Sequence, residues 1–307
     1  MSTAEISVVI PTYNRAAFLG DAVQSVMDQS NARVEIIIAD DGSTDNTAEV
    51  LDRFGGSVRY VRLPHRGQPA ATRNAGLREA HGEFVAFLDS DDLFMPEKFR
   101  LQLAAFEAHP EAGLIYSNGH FFRDAASQPT GYVLDGLPMP SGNVFAELLR
   151  GNFLSTPTVL IRRACLERVG FYDERPDFFA VEDYDLWLRI AAEFSIIYVP
   201  GDVAAVRRHG KSISGDTAAL RGRMLRVLEK TDQLYPKLMR AHRDERHEAY
   251  ARSHGAVAIA QLQQWNLGAG FIHGVHALSH TLRLRDRGRR AITEWWVRRR
   301  LRARLLI

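Results

Sequence analysis

Glu35-Ile36-Ile37-Ile38-Ala39-Asp40-Asp41-Gly42-Ser43-Thr44-Asp45 is the stretch that sets the fold of this 307-residue chain. Its first half is a continuous apolar run, the signature of a strand buried on both faces. Its second half carries helix-cap chemistry in Ser43-Thr44-Asp45, and a helical pattern runs over Thr44–Phe54. The same alternation repeats on either side. Strands are predicted at Ser7–Ile10, Glu35–Ala39, Val58–Arg62, Phe84–Leu88 and Leu114–Ser117. Helices are predicted between them at Ala16–Gln29, Thr44–Phe54, Pro69–Ala80 and Pro96–His109, two of which open on proline. Strand–helix alternation of this kind gives an α/β fold with a mostly parallel sheet flanked by helices. Such sheets bind ligands at the carboxyl ends of their strands, so the residues just after each strand become the candidates for function.

Beyond residue 117 the pattern is less regular. Gly131–Gly142 reads as a loop, Asn143–Arg150 and Asp183–Ala192 as helices, and Thr158–Ile161, Ile196–Val199 and Val203–Arg207 as strands. From Asp216 to the end the chain is helical, broken near Asn266-Leu267-Gly268. The composition, 46% apolar and 25% charged, is that of an ordinary globular protein. A lone Cys165 excludes an intramolecular disulfide. The apolar run Ile6–Ile10 is too short for a secretory leader, and no stretch reaches the eighteen or so apolar residues of a membrane span. A cytoplasmic protein is expected.

Two strand ends crowd aspartates: Asp40-Asp41-Gly42-Ser43-Thr44-Asp45 after the second strand and Asp89-Ser90-Asp91-Asp92 after the fourth. Carboxylates this close repel or are driven to protonate, a penalty that a divalent cation removes. Hard oxygen ligands, few of them from protein, suit Mg²⁺ or Mn²⁺ bridging to a diphosphate. Asp45 and Asp92 are read as turn or helix caps, whereas Asp41, Asp89 and Asp91 together are read as functional. Glu182-Asp183-Tyr184-Asp185 opens a predicted helix after the loop Asp173–Ala180, and either a proton-transfer role or an acidic first helical turn accounts for it.

Four ordered segments carry a family resemblance: Val9-Ile10-Pro11-Thr12-Tyr13-Asn14, Asp40-Asp41-Gly42-Ser43-Thr44-Asp45, Ala71-Thr72-Arg73-Asn74-Ala75-Gly76 and Phe87-Leu88-Asp89-Ser90-Asp91-Asp92. Over about residues 5–215 the chain resembles glycosyltransferase family 2, whose members have the GT-A fold and invert the anomeric centre. The resemblance implies a nucleotide-sugar-binding half over residues 1–117 and an acceptor-binding half over 118–215, with residues 216–307 a helical extension. It implies that Asp41 accepts a hydrogen bond from the nucleotide base, with Pro11, Tyr13 and Arg73 lining the pocket, and that Asp89 approaches the ribose. Asp91 would hold the Mn²⁺ or Mg²⁺ on the donor phosphates, joined by His209, while Arg208 or Lys211 meets phosphate oxygens. Asp183 would be the general base and Glu182 would help orient the acceptor. A UDP-sugar is the first expectation for the donor, with dTDP and GDP sugars open, and a glycan or lipid-linked molecule for the acceptor.

Other classes fit less well. A dinucleotide-binding dehydrogenase needs Gly-x-Gly-x-x-Gly after its first strand, where this chain has Pro11-Thr12-Tyr13-Asn14-Arg15. A nucleotidyltransferase needs a glycine-rich basic loop there. A non-catalytic sugar- or nucleotide-binding relative is the rival, and the intact Asp91 and Asp183 speak against it. His273, His276 and His280 share one helix face without cysteine or carboxylate nearby, so no zinc site is expected. The net charge of +2 conceals a basic tail: residues 281–307 hold ten arginines against Asp286 and Glu294. Residues 289–307 pattern as an amphipathic helix with Trp295 and Trp296 on its apolar side, which suits contact with an anionic membrane, or packing on the preceding helices or in an oligomer, more than contact with nucleic acid.

Overall fold

The computed structural model of the protein describes residues 5–30, 32–123, 128–208, 217–264 and 267–284. The first part of the chain alternates β1 (Ile6–Thr12), α1 (Ala16–Met27), β2 (Val34–Asp40), α2 (Thr47–Asp52), β3 (Val58–Arg62), α3 (Pro69–Arg78) and β4 (Phe84–Phe87). Next come β5 (Leu93–Phe94), α4 (Lys98–Ala108), β6 (Ala112–Phe122), α5 (Phe145–Arg150), β7 (Val159–Arg162), α6 (Arg163–Val169), α7 (Glu182–Glu193) and β8 (Ser195–Arg207). The remaining helices are α8 (Thr217–Leu234), α9 (Pro236–Ala241), α10 (Arg243–Gln263) and α11 (Leu267–Leu282).

The eight strands form one sheet in the order β3-β2-β1-β4-β7-β6-β8-β5. β3, β2, β1 and β4 are mutually parallel, and only β7 and β5 run against the rest. The mostly parallel sheet expected from the alternation is therefore present. Its centre is dry because β1, β2 and β4 are apolar on both faces: Val8, Val9, Ile10, Ile37, Ile38, Val85, Ala86 and Phe87 are all fully buried. Helix α3 approaches β1 so closely that a Cβ on Gly76 would lie 2.5 Å from Val9 Cγ1, which explains the glycine closing Ala71–Gly76.

Several boundaries differ from expectation. The helix predicted from Pro96 begins at Lys98, and Leu93–Phe94 before it pairs with β8. Asp92 thus stands at a strand, away from any helix start, and its reading as a helix cap is corrected. Its Oδ1 accepts the Arg207 N–H at 2.8 Å and so fastens β8 to the end of β4. The two strands predicted around Pro200-Gly201 are one strand, β8, whose pairing with β6 absorbs the interruption through register shifts. Helix α6 has no counterpart in the sequence pattern, because it begins directly after β7 without a residue between them.

By contacts the chain divides into two units. One holds residues 1–144 and 153–212, the other 145–152 and 213–307. In the second unit α10 is central. Asp232 of α8 accepts hydrogen bonds from Arg246 Nε and Tyr250 Oη of α10, and Arg150 of α5 pairs with Glu245. His247 and His254 of α10 meet His280 and His273 of α11, each pair with Nδ1 atoms 3.0 Å apart. His209, Lys211 and the basic tail 289–307 lie outside the described residues.

Candidate active site

Pro11, Tyr13, Asp41, Asp89 and Asp91 fall at the carboxyl ends of β1, β2 and β4 in the first unit, and Arg73 of α3 links Asp89 to Glu182, beside Asp183 at the start of α7. At the end of β1 the backbone of Asn14 turns left-handed, with φ of 51°, a conformation Asn tolerates better than most residues. Its side chain accepts the Thr44 N–H at 2.8 Å and its own N–H reaches Ser43 Oγ at 2.9 Å, so the loops after β1 and β2 are tied together. Asp45 supports the same junction, receiving N–H groups from Ala16 and Thr47, as its reading as a cap requires. Asp40 is engaged inside the protein as well, by Ser43 and by Tyr60 Oη at 2.6 Å.

Asp41 is buried, and each carboxylate oxygen takes a backbone amide: Oδ1 from Arg66 at 2.9 Å and Oδ2 from Gly67 at 2.8 Å. His65 Nδ1 stands 2.9 Å from Oδ2 and 2.9 Å from the Asp41 carbonyl, two acceptors that require this nitrogen to carry the proton. Of the roughly four acceptor positions on a carboxylate, about one is left, on Oδ1. The His65 ring stacks on Tyr13 with centroids 4.1 Å apart and planes 14° from parallel. Tyr13 is 40% exposed, which makes the pair a flat aromatic platform open to solvent at the ends of β1 and β3, while Pro11 is partly buried beneath the rim. No sequence motif singles out His65, Arg66 and Gly67. The strand-end rule applied to β3 is the signal that finds them.

Arg73 joins the two halves of the site. Its guanidinium, almost wholly buried, donates from Nη2 to Asp89 Oδ1 at 2.7 Å and from Nη1 to Glu182 Oε1 at 3.0 Å. It also lies 5.7 Å from the centroid of the Tyr172 ring. The next residue, Asn74, clasps the Tyr172 backbone in both directions, at 2.9 and 3.0 Å, and its Nδ2 reaches Glu174 at 2.8 Å. The Arg73-Asn74 pair on α3 thereby fixes the loop that leads into α7. That loop ends in Ala180, held at φ of 63°, where a side chain is strained, immediately before the acidic turn of α7.

α7 is buried along nearly its whole length, with Leu186, Trp187 and Ile190 sealed in the core and Asp185 paired to Arg189 at 2.8 Å. Asp183 is the partly exposed residue of this turn. Its Oδ1 accepts the Tyr184 N–H at 2.7 Å, and among the described residues its Oδ2 receives no hydrogen bond. Burial, reinforced by the charge of Glu182, pushes the Asp183 carboxyl up to about 6, against the opposing pull of the Tyr184 N–H and of Arg73. Partnerless buried polar atoms gather at this rim: Thr12 Oγ1, Arg73 Nε, Tyr172 Oη and Glu182 Oε2 have no hydrogen bond among the described residues. Native proteins keep such atoms rarely, and often where a ligand or water completes them.

Negative charge concentrates after β4. Asp89 is partly exposed, and the Asp91 carboxylate lies 3.9 Å from Arg15 Nε. Burial, together with the charges of Asp89 and Asp91, raises the Asp92 carboxyl well above the usual range. Arg207 offsets part of this field, donating from Nε to the Asp91 carbonyl at 2.9 Å. Three or more His, Cys, Asp or Glu side chains do not form a ready cage among the described residues. Two oxygen donors from one loop are the set that Mg²⁺ or Mn²⁺ accepts when phosphates and water supply the other ligands.

Residues 7–170 match the family described as Glycosyl transferase family 2. An uncharacterized glycosyltransferase of Rickettsia conorii is 33% identical over 213 residues, covering 68% of this chain and 34% of that protein. The chain therefore spans about a third of that relative's length. The Escherichia coli UDP-Glc:alpha-D-GlcNAc-diphosphoundecaprenol beta-1,3-glucosyltransferase WfgD is 27% identical over 192 residues, 62% of this chain and 71% of that one. Among solved structures, the mannosyltransferase PcManGT from Pyrobaculum calidifontis, in complex with GDP-Man and Mn²⁺, superposes with a TM-score of 0.62 at 17% identity, covering 95% of this chain and 84% of the other.

Proposed function

This chain belongs to glycosyltransferase family 2 and has its GT-A fold, and from that premise we propose that it moves a sugar from a nucleoside-diphosphate donor to an acceptor hydroxyl with inversion. The observation that carries the reading is the Arg73 bridge. One guanidinium holds Asp89, at the end of β4, to Glu182, the neighbour of a partly exposed Asp183. A donor seated at the strand ends is thereby set beside a carboxylate with an open oxygen.

In this reading the nucleotide base lies against the Tyr13–His65 platform with Pro11 beneath, and its donor group meets the remaining acceptor position of Asp41. Asp89 receives the ribose, with Arg73 fixing its direction. Asp183 takes the proton of the attacking hydroxyl at Oδ2. A carboxyl titrating near 6 is a stronger base than an ordinary aspartate yet is mostly ionised at neutral pH. Glu182, locked on Arg73, keeps Asp183 in place and adds its charge to the burial that raises it. Asp91, joined by His209, would hold Mn²⁺ or Mg²⁺ on the diphosphate. The negative charge of Asp89 and Asp91, which adds to burial in raising Asp92, fits such a cation. Bound there, the cation stabilises the departing diphosphate as a Lewis acid.

UDP-sugars are the first class to try, then dTDP and GDP sugars. Glycan and lipid-linked hydroxyls, as in polysaccharide or glycolipid synthesis, are the acceptor classes. WfgD is named for UDP-Glc and a diphosphoundecaprenol-linked sugar, and PcManGT holds GDP-Man. The test is product stereochemistry. Proton NMR of the transferred sugar should show an anomeric configuration opposite to the donor's, and retention would overturn the single displacement.

A further inference from the structure

α11 presents to solvent a face that a water-facing helix does not have. Leu267, Phe271, Val275, Leu278 and Leu282 recur at intervals of four, four, three and four residues, and each is between 50% and 72% exposed. At about 100° per residue they lie within an arc of roughly 80°, one continuous stripe along a helix about 24 Å long. The opposite side, with Gly270 and Ala277 buried and His273 and His280 against α10, is the side the fold uses. Leu267–Leu282 contains no Asp, Glu, Lys or Arg. Scattered surface leucines are ordinary, but an uncharged stripe of this length marks a contact surface.

The segment of chain after α11 decides between the candidate contacts. Residues 281–307 carry ten arginines against Asp286 and Glu294, with Trp295 and Trp296 among them. An anionic bilayer surface is complementary to both features at once, accepting apolar side chains below the headgroups and arginines among the phosphates. No helix among the described residues is long and apolar enough to cross a membrane, so the contact would be parallel to the surface. We infer that the exposed stripe of α11 is a lipid-insertion face that docks the protein on anionic membrane. The inference stands apart from the transfer reaction, since it uses no residue of the strand-end site.

The experiment is co-sedimentation of the full chain with phosphatidylcholine vesicles, with and without phosphatidylglycerol, at low and high salt. The protein should pellet with the anionic vesicles only, and less so at high salt. Phe271→Gln with Leu278→Gln, two exposed positions, should lower partitioning about tenfold or more while melting and turnover on a soluble acceptor stay as in the parent. Phe271→Trp should show quenching by brominated lipid beyond that of the parent's own tryptophans, a readout that does not depend on the double variant's behaviour. The inference fails if the parent stays in the supernatant, if the double variant pellets equally, or if Phe271→Trp adds no quenching over the parent. It also fails if the parent sediments as a dimer without lipid and the double variant as a monomer, because a second copy would then cover the stripe.

Discussion

If Asp183 is the base of the proposed transfer, acidification from pH 7 to pH 5 should lower activity about tenfold. Its carboxyl is pushed up to about 6, first by burial and then by the charge of Glu182. Only the ionised form can accept the acceptor's proton, so activity follows the deprotonated fraction. That fraction is about 0.91 at pH 7 and about 0.09 at pH 5, a fall of roughly tenfold for one controlling group. The quantity to measure is kcat/KM, which reports ionisations of the free enzyme, in a buffer series of constant ionic strength at fixed saturating Mn²⁺. An ordinary aspartate would place the limb about two pH units lower, outside the range scanned. Asp183→Asn should lose roughly 10²-fold or more in turnover while retaining donor binding, and its residual rate should no longer show the limb. A flat profile between pH 5 and 7 in the parent would refute the assignment, and so would the same limb persisting in Asp183→Asn.

Three further outcomes are expected. Arg73→Ala leaves Glu182 and part of Asp89 without their cation and should cost about 3–5 kcal/mol, seen as a melting temperature lower by roughly 10 °C. Because the Arg73 charge holds Asp183 down, the surviving acid limb should also move to higher pH. Asp91→Asn should abolish most of the Mn²⁺-dependent gain in donor affinity by calorimetry without changing the melt, and full activity in EDTA would contradict the metal's role. In the second unit burial, then neighbouring histidines and for His280 also Arg246 and Arg283, holds His254 and His280 down to about 4, against an ordinary value of 6.5. Between those values the unfolded chain binds protons the folded one refuses, so stability present above pH 6.5 should be lost as pH falls towards 4. The melting temperature should drop across that window, and less steeply in His254→Gln.

The centre of the sheet is legible in the sequence because burial on both faces leaves a strand no choice of composition. Ile36-Ile37-Ile38 and Val85-Ala86-Phe87 are apolar whichever way each side chain points, and the bounds of Val58–Arg62 agree to the residue. Legibility fails where pairing, and not composition, makes the element. Leu93–Phe94 is a strand only because β8 lies beside it, a contact with residues more than a hundred positions away. Pro200-Gly201 reads locally as a break, yet β6 continues to pair on both sides of it.

The same distinction separates the aspartates. In sequence Asp40, Asp41, Asp45, Asp89, Asp91 and Asp92 form two similar acidic loops, and only turn chemistry is available to sort them. In space the sorting is done by donors. Asp40 and Asp45 are engaged by groups within their own or adjoining loops, and Asp92 by the Arg207 amide, 115 residues away. Those three are consumed in building the rim. Asp89 meets its cation from α3, 16 residues earlier, and that same cation reaches Glu182, 109 residues further on. No periodicity encodes such a bridge, so Arg73 can be picked out by its motif but its partners cannot. The bridge also gives Arg73 two duties, holding α7 against the strand ends and opposing with its charge the rise of the Asp183 carboxyl, and Arg73→Ala removes both together. Arg73→Lys separates them. A lysine keeps the charge near Asp183 but, as a compact ammonium without the planar fork, cannot span both carboxylates in the same geometry. It should leave the acid limb near 6 while reducing donor binding and thermal stability. A limb displaced as far as in Arg73→Ala would show that position, not charge, sets the basicity of Asp183.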